Sequence, residues 1–317
     1  MWSVKSVMTS GTLARNFMIT LAVFAMMPDT ASACACGCGM FDVGMPGMAL
    51  PSSQGGSVNL QETFLDQNIA ETGSSRIPLS QSADQEIRTA FTNLNIQYQF
   101  NRDWGLLAMV PYWQRSFDTN VNFGNSPPHL VDSNVSTLSD IRVMGMYSGF
   151  SPDMASGLLF GLKLPTGTYT APGFDRDTEP GTGSTDVLIG GYEMGQEKGW
   201  GWFAQGILRS AVSTSDRYRP GDSLQLVAGM HYDAWQHTTH LIPTLMLNGT
   251  IRQADSGLNS DPINSGLKSV YLTPGVLWQI DHAWQANVNL YVPLYQYVNG
   301  VQLIPQQIVS AGITFGF

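Results

Sequence analysis

Read backwards from its last residue, this chain alternates. The closing stretch SAGITFGF puts Ala311, Ile313, Phe315 and Phe317 on one face and Ser310, Gly312, Thr314 and Gly316 on the other. Successive side chains of a strand point to opposite faces, so a strict period of two with one apolar side marks a strand that is half immersed in an apolar medium. Trp284, Ala286, Val288, Leu290, Val292 and Leu294 alternate in the same way with Gln285, Asn287, Asn289, Tyr291 and Tyr295. Leu94, Ile96, Tyr98 and Phe100 do so against Asn93, Asn95, Gln97 and Gln99, and Leu158, Phe160, Leu162 and Leu164 against Leu159, Gly161 and Lys163. The second face decides what medium this is. In a soluble sandwich the outer face carries many charges, whereas here only 12% of residues are charged and the second face is amide, hydroxyl and glycine. Soluble domains carry about twice that charged fraction. The pattern fits a transmembrane barrel with its apolar face on lipid and its polar face on a lumen.

Marking every such segment predicts an all-β antiparallel barrel of twelve strands, near 58–66, 88–100, 104–113, 138–150, 156–164, 184–194, 200–212, 223–232, 237–248, 268–280, 283–295 and 307–317. The strand at 58–66 is the least regular, because Glu62 shares the face of Val58, Leu60 and Phe64. An even count lets an antiparallel ring close with both ends on one side. Short connections (NRD, SPDMA, QEKG, DAWQ, DH) alternate with long polar ones at 67–87, 114–137, 165–183 and 249–267. Short periplasmic turns and long external loops are the outer-membrane arrangement. Phe100, Trp104, Trp200, Trp202, Trp235, Trp278 and Trp284 flank the short turns, where an interfacial aromatic girdle belongs. Residues 67–87 or 114–137 are expected to fold inward and narrow the lumen.

The N-terminal 33 residues read as a secretory signal. Lys5 and Arg15 precede the apolar run FMITLAVFAMM, and Ala31-Ser32-Ala33 offers a cleavage site. The run is shorter than the roughly 20 residues a membrane helix needs. Residues 34–57 then form a Cys/Met/Gly-rich periplasmic tail, and 58–317 the barrel. The net charge of −9 argues against nucleic acid, which calls for clustered cations. Outer-membrane lipid, a small solute and a periplasmic protein remain as partners.

The fifth strand ends in GLKLPTG (161–167), and the sixth opens with PGTGSTD (180–186). This pair resembles the outer-membrane barrel family labelled for the MetA-pathway of phenol degradation, whose members carry a similar KLPTG and GTGS-x-D; the likeness covers residues 88–317. The resemblance implies movement of small molecules across the outer membrane and fixes no substrate. Phe315 and Phe317, alternating with Ile313, look like the signal read by the barrel-assembly machinery, a general barrel feature. The residues themselves explain part of the motif. Pro165 cannot donate to a ladder and ends the strand, and Thr166-Gly167 supports a turn.

Lumenal parity gathers Asp140, Arg142, Lys163 and Asp186, with Arg115 and Arg209 near the same rim. Two readings stand. The charges form a pore constriction that selects solutes, or they neutralise one another and brace the wall. His231 and His240 share lumenal parity on adjacent strands but lack a third metal ligand. No HExxH, CxxCH, P-loop or dinucleotide fingerprint is present. An outer-membrane esterase or lipase would need a serine and histidine at one lipid-exposed rim, and parity places no histidine there.

All three cysteines lie in CACGC, as Cys34, Cys36 and Cys38, followed by Met40, Met45 and Met48. An odd count at C-x-C spacing suits bridging poorly. Thiolates and thioethers are soft ligands for Cu(I) and similar thiophilic ions, and glycine spacers let sulfurs converge. A metal-binding tail, lipidation of Cys34 and a mixed disulfide to a periplasmic partner all fit. The sequence thus predicts a channel or transporter for a small solute with no chemistry of its own, or a plugged barrel anchoring a periplasmic metal-handling or redox complex.

Overall fold

The computed structural model describes residues 55–121 and 129–317. Its strands are β1 (Gly55–Gly73), β2 (Ser75–Ile77), β3 (Asp84–Gln99), β4 (Trp104–Asn120), β5 (Leu130–Leu138), β6 (Arg142–Tyr147), β7 (Ser156–Lys163), β8 (Thr185–Glu197), β9 (Trp200–Ser213), β10 (Ser223–Tyr232), β11 (Leu241–Arg252), β12 (Leu267–Gln279) and β13 (Trp284–Gly316). Spatial neighbours follow chain order, and β13 returns to pair with β1, so the sheet closes on itself. Two strands stand outside the ring: β2 folds back on β1, and β5 pairs with β4 above β6.

Eleven elements remain in the ring, and every pairing among them is antiparallel. A ring of antiparallel neighbours cannot close on an odd number. The register of β13 resolves this. Its first half runs against β12, from Gln279↔Gln285 to Leu267↔Val298, and its second half against β1, from Thr72↔Val301 to Ser57↔Gly316. The chain therefore reverses at Asn299-Gly300, where Gly300 has φ +55°, and β13 supplies two staves. Twelve staves result, as the alternation predicts.

Alternation of burial follows alternation of sequence. On β3, Phe91, Asn93, Asn95, Gln97 and Gln99 are buried while Leu94, Ile96 and Tyr98 are exposed. Phe64, Ile189, Leu208 and Val288 are each more than half exposed. In water each such side chain would forgo about 2 kcal/mol of burial. Facing hydrocarbon removes that cost, and the outward band is made of these residues. Below it the short turns carry the aromatic girdle, with ring centroids 4.8 Å apart in Trp104–Tyr147, Trp200–Tyr232 and Trp284–Phe315.

The short turns use the chemistry their residues dictate. Asn101 Oδ1 accepts from the backbone N–H groups of Asp103 and Trp104, and Asp281 Oδ1 accepts from those of Ala283 and Trp284. Lys198 and Gly199 both have positive φ, the two-residue hairpin turn whose twist matches the strands.

Several sequence expectations need correction. β1 begins at Gly55 and runs to Gly73, and β3 starts at Asp84, so 67–87 is mostly strand, with Ile77 and Leu79 packed against buried Ala70, Ile87, Phe117 and Leu303. β4 likewise runs on to Asn120, and of the expected loop 114–137 residues 122–128 lie outside the described residues. The strand expected at 138–150 is β6 alone, Arg142–Tyr147, and β5, Leu130–Leu138, falls almost wholly within the loop expected at 114–137. The strand expected at 237–248 starts at Leu241, after a one-turn helix at Gln236–Thr239. His240 has φ +58° in that turn and does not share a lumenal wall with His231. Glu62 does face outward with Leu60 and Phe64, and Thr92 on β3 donates a hydrogen bond to its carboxylate.

Candidate functional site: the lumen and its inward-folded loop

Lumenal side chains change character from one end of the barrel to the other. Near the short turns they are amides that bond one another: Asn95 to Asn59, Asn59 to Thr314, Asn248 to Thr273 and Gln285 to Gln279. Higher up, Leu65, Phe91, Trp113, Tyr271, Tyr291 and Ile308 form an apolar cluster drawn from strands around the ring, and Phe91 meets Trp113 edge to face at 4.7 Å. A second apolar patch, with Leu107, Met109, Met144, Met146, Leu159 and Leu188, lines the wall of β4 and β6–β9.

The charges predicted from parity lie above these. Lys163 Nζ stands 2.7 Å from Asp140 Oδ2 and 3.4 Å from Asp186 Oδ2, and Arg209 Nη1 stands 2.8 Å from Asp186 Oδ2. All four residues are buried. Arg209 also donates to Ser223 and to the Gly221 carbonyl. Arg142 is in register with Lys163 on the adjoining strand. Arg115 lies elsewhere on the wall: it donates to Thr89, packs over the Trp113 ring at 4.7 Å and reaches the Thr178 carbonyl. Parity therefore found six lumenal charges, and the fold ties Asp140, Lys163, Asp186 and Arg209 into one chain.

What parity could not find is the loop at 164–184, which turns inward. Asp140 occupies the break between β5 and β6 and fastens both ends of this loop. Its Oδ1 accepts from Gly167 N–H at 3.0 Å, and its Oδ2 accepts from Thr182 N–H at 3.0 Å and Thr182 Oγ1 at 2.7 Å. Thr166 donates to the Ser139 carbonyl, and Ser139 donates to the Pro180 carbonyl. The two halves of the family-like motif thus meet here. A Cβ on Gly167 would come within 2.8 Å of the Gly181 Cα, so only glycines let these segments touch.

The middle of the loop lies against the mouth. Phe174 stacks on buried Phe117 with centroids 5.8 Å apart. Arg176 sits between the rings of Tyr169 and Tyr218, at 5.0 and 4.3 Å, and donates to the Thr182 carbonyl. Asp177, Thr178 and Glu179 are all buried. Neighbouring loops join them: Arg252 holds Asp255 with both oxygens within 2.7 Å, and Tyr218 donates to Asp255 at 2.8 Å. Asp177 and Glu179 escape a sequence reading because a polar stretch rich in proline and glycine reads as surface. Burial pushes both carboxyls up to about 7, with Asp255 adding to the effect on Asp177 and Arg176 and Arg115 opposing it on Glu179.

The fold has solved counterparts. The COG4313 outer membrane channel from Pseudomonas putida F1 superposes with a TM-score of 0.65 at 12% identity, over 86% of this chain and 99% of that one. The chain has the fold of an outer-membrane β-barrel. The beta domain of the Bordetella autotransporter BrkA matches the barrel at a TM-score of 0.50 and 11% identity, over 83% of this barrel chain and all of its own. The KdgM porin gives 0.43 at 11% identity, over 82% and 99% of the two chains. At these identities the likeness is one of fold. No family model matches the chain, and no curated protein matches it.

Proposed function

We propose that this barrel is an outer-membrane channel or transporter for a small solute and has no chemistry of its own. The observation that carries the reading is the lumen itself: a wall lined by amides and apolar patches, with a self-neutralised chain of charges above them and a loop folded over the mouth. The architecture of the Pseudomonas putida channel supports it. The KLPTG and GTGS-x-D pair supports placement in the family labelled for phenol degradation. Asp140, Arg142, Lys163, Asp186, Arg209 and Arg115 form the constriction, and Asp140, Lys163, Asp186 and Arg209 also brace the wall, because each is both lumenal and paired. Single-channel recording on refolded mature protein in planar bilayers tests this reading. Discrete conductance steps are expected, and their complete absence, also after residues 170–179 are replaced by a short Gly/Ser link, would make it a plugged anchor.

The tail adds a second role. Cys34, Cys36, Cys38, Met40, Met45 and Met48 lie outside the described residues, and their soft sulfur donors support capture of Cu(I) or a like ion at the periplasmic mouth. A Cu(I) competition titration beside the Cys34→Ser, Cys36→Ser, Cys38→Ser variant should show stoichiometric binding that the variant loses. Equal binding by both would leave lipidation of Cys34 or attachment to a periplasmic partner as the cysteines' role.

A further inference from the structure

We propose that residues 164–184 are a pH-operated lid, docked in acid and released as the medium becomes neutral to alkaline. The inference rests on the channel reading and adds a regulation to it. Two carboxylic acids sit on the inward tip of this loop, and both are almost wholly removed from solvent, Asp177 at 4% and Glu179 at 2% exposure. Asp177 Oδ2 has no hydrogen-bond partner among the described residues. Ionised, that buried oxygen carries charge with no donor beside it, whereas protonation removes the charge.

The surroundings sharpen the effect. From β11 and the loop after it, Asp177 faces Arg252, Asp255 and Asp261, and Arg252 is already committed to Asp255 by two contacts. Asp261 is held by the backbone of Ile263 and Asn264. Asp177 therefore meets two carboxylates that push its carboxyl up and one cation, Arg252, that opposes them, and burial outweighs that cation. Glu179 faces Arg115 on β4 and Arg176 in its own loop, and both of those bond loop carbonyls, of Thr178 and Thr182. On the remaining sides the loop meets Asp140 at the β5–β6 break, Lys163 on β7 and Asp186 on β8, which pair with one another. Asp216 approaches Arg176 at 4.0 Å from the loop after β9.

The sign follows from linkage. The docked loop holds protons that the released loop gives up, since an exposed carboxyl ionises near its ordinary value of about 4. Docking is at full strength below that value, weakens steadily up to about 7, where the docked acids ionise, and changes no further above it. Each unit of difference in one acid biases the equilibrium about tenfold toward release. The anchors at Asp140, Gly167 and Thr182 involve neither acid, so the loop swings on a fixed base.

The experiment is conductance of the full mature chain in planar bilayers between pH 5 and pH 8. Open-channel conductance should rise roughly tenfold or more across that range. The Asp177→Asn, Glu179→Gln double variant should stay at the low, acid level throughout. Equal conductance of the wild type at both ends overturns the lid, as does a double variant that keeps the wild-type response. If the double variant gives no heat-modifiable folded band, the single variants carry the comparison, each expected to narrow the response. A chain with residues 170–179 replaced by a Gly/Ser link separates the two ideas. Conductance there at every pH upholds the channel whatever the wild type does, and silence there removes the channel reading itself.

Discussion

Asp140 shows how much one side chain can organise. A carboxylate has about four lone-pair positions, and here Gly167 N–H, Thr182 N–H, Thr182 Oγ1 and Lys163 Nζ use them. Replacing Asp140 with alanine leaves buried Lys163 with Asp186 as its one carboxylate, beside Thr182 and Ser184, and frees two N–H donors. Removing one member of a buried ion pair costs about 3–5 kcal/mol. The Asp140→Ala barrel should therefore unfold at a clearly lower guanidinium midpoint in detergent, whereas Arg102→Ala, on an exposed turn, should not shift it. Parity placed Asp140, Lys163 and Asp186 on one face of neighbouring strands, because a two-residue period fixes facing whatever else the chain does. The partners at Thr182 and Gly167 were not legible, since they come from a loop whose path depends on contacts far along the sequence.

Among the elements, the strands of the ring were legible, while their lengths and the two strands outside it, β2 and β5, were not. Outside the hydrocarbon band the outward face turns polar, as at Gln114, Ser116 and Asp118 of β4, so the alternation that betrays a strand fades while its hydrogen bonds continue to Asn120. The break at 139–141 falls where Ser139 and Asp140 follow one another as two polar, buried residues, so the period slips there. The reversal at Asn299-Gly300 lies in the link left between the strands expected at 283–295 and 307–317, both of which run longer. Gly300 takes φ +55°, and a Cβ there would come within 2.1 Å of Asn264 Oδ1 and 2.6 Å of the Ile263 carbonyl. Left-handed backbone alone costs a residue with a Cβ about 1–2 kcal/mol. Gly300→Ala should thus destabilise the barrel by at least that amount in urea titrations, while Gly316→Ala, whose Cβ would meet nothing closer than 3.8 Å, should be nearly neutral.

For the molecule as a whole, the twelve staves and the girdle were readable, because lipid imposes its boundary on every strand at once. The filling of the lumen was not, because it joins residues from strands far apart in sequence, such as Trp113 and Tyr271. The C-terminal aromatics act at this scale. Phe317 exchanges both backbone hydrogen bonds with Gly56, at 2.8 and 2.9 Å, and its ring lies 6.0 Å from that of Phe315. If the assembly machinery reads these two residues, Phe315→Ala, Phe317→Ala should lower the heat-modifiable fraction in outer membranes several-fold. The same variant refolded in detergent should still reach the barrel.

The seam between β1 and β13 also sets an order of events. These strands are the first and the last of the described ring, and one edge of each is satisfied by the other. However many intervening hairpins have formed, the cylinder has a gap until these two strands meet. The same adjacency means that the ends could be joined by a short linker and new ones cut at the Lys198-Gly199 turn. Such a circular permutant would keep every pairing while moving the last strand to be synthesised to the opposite wall.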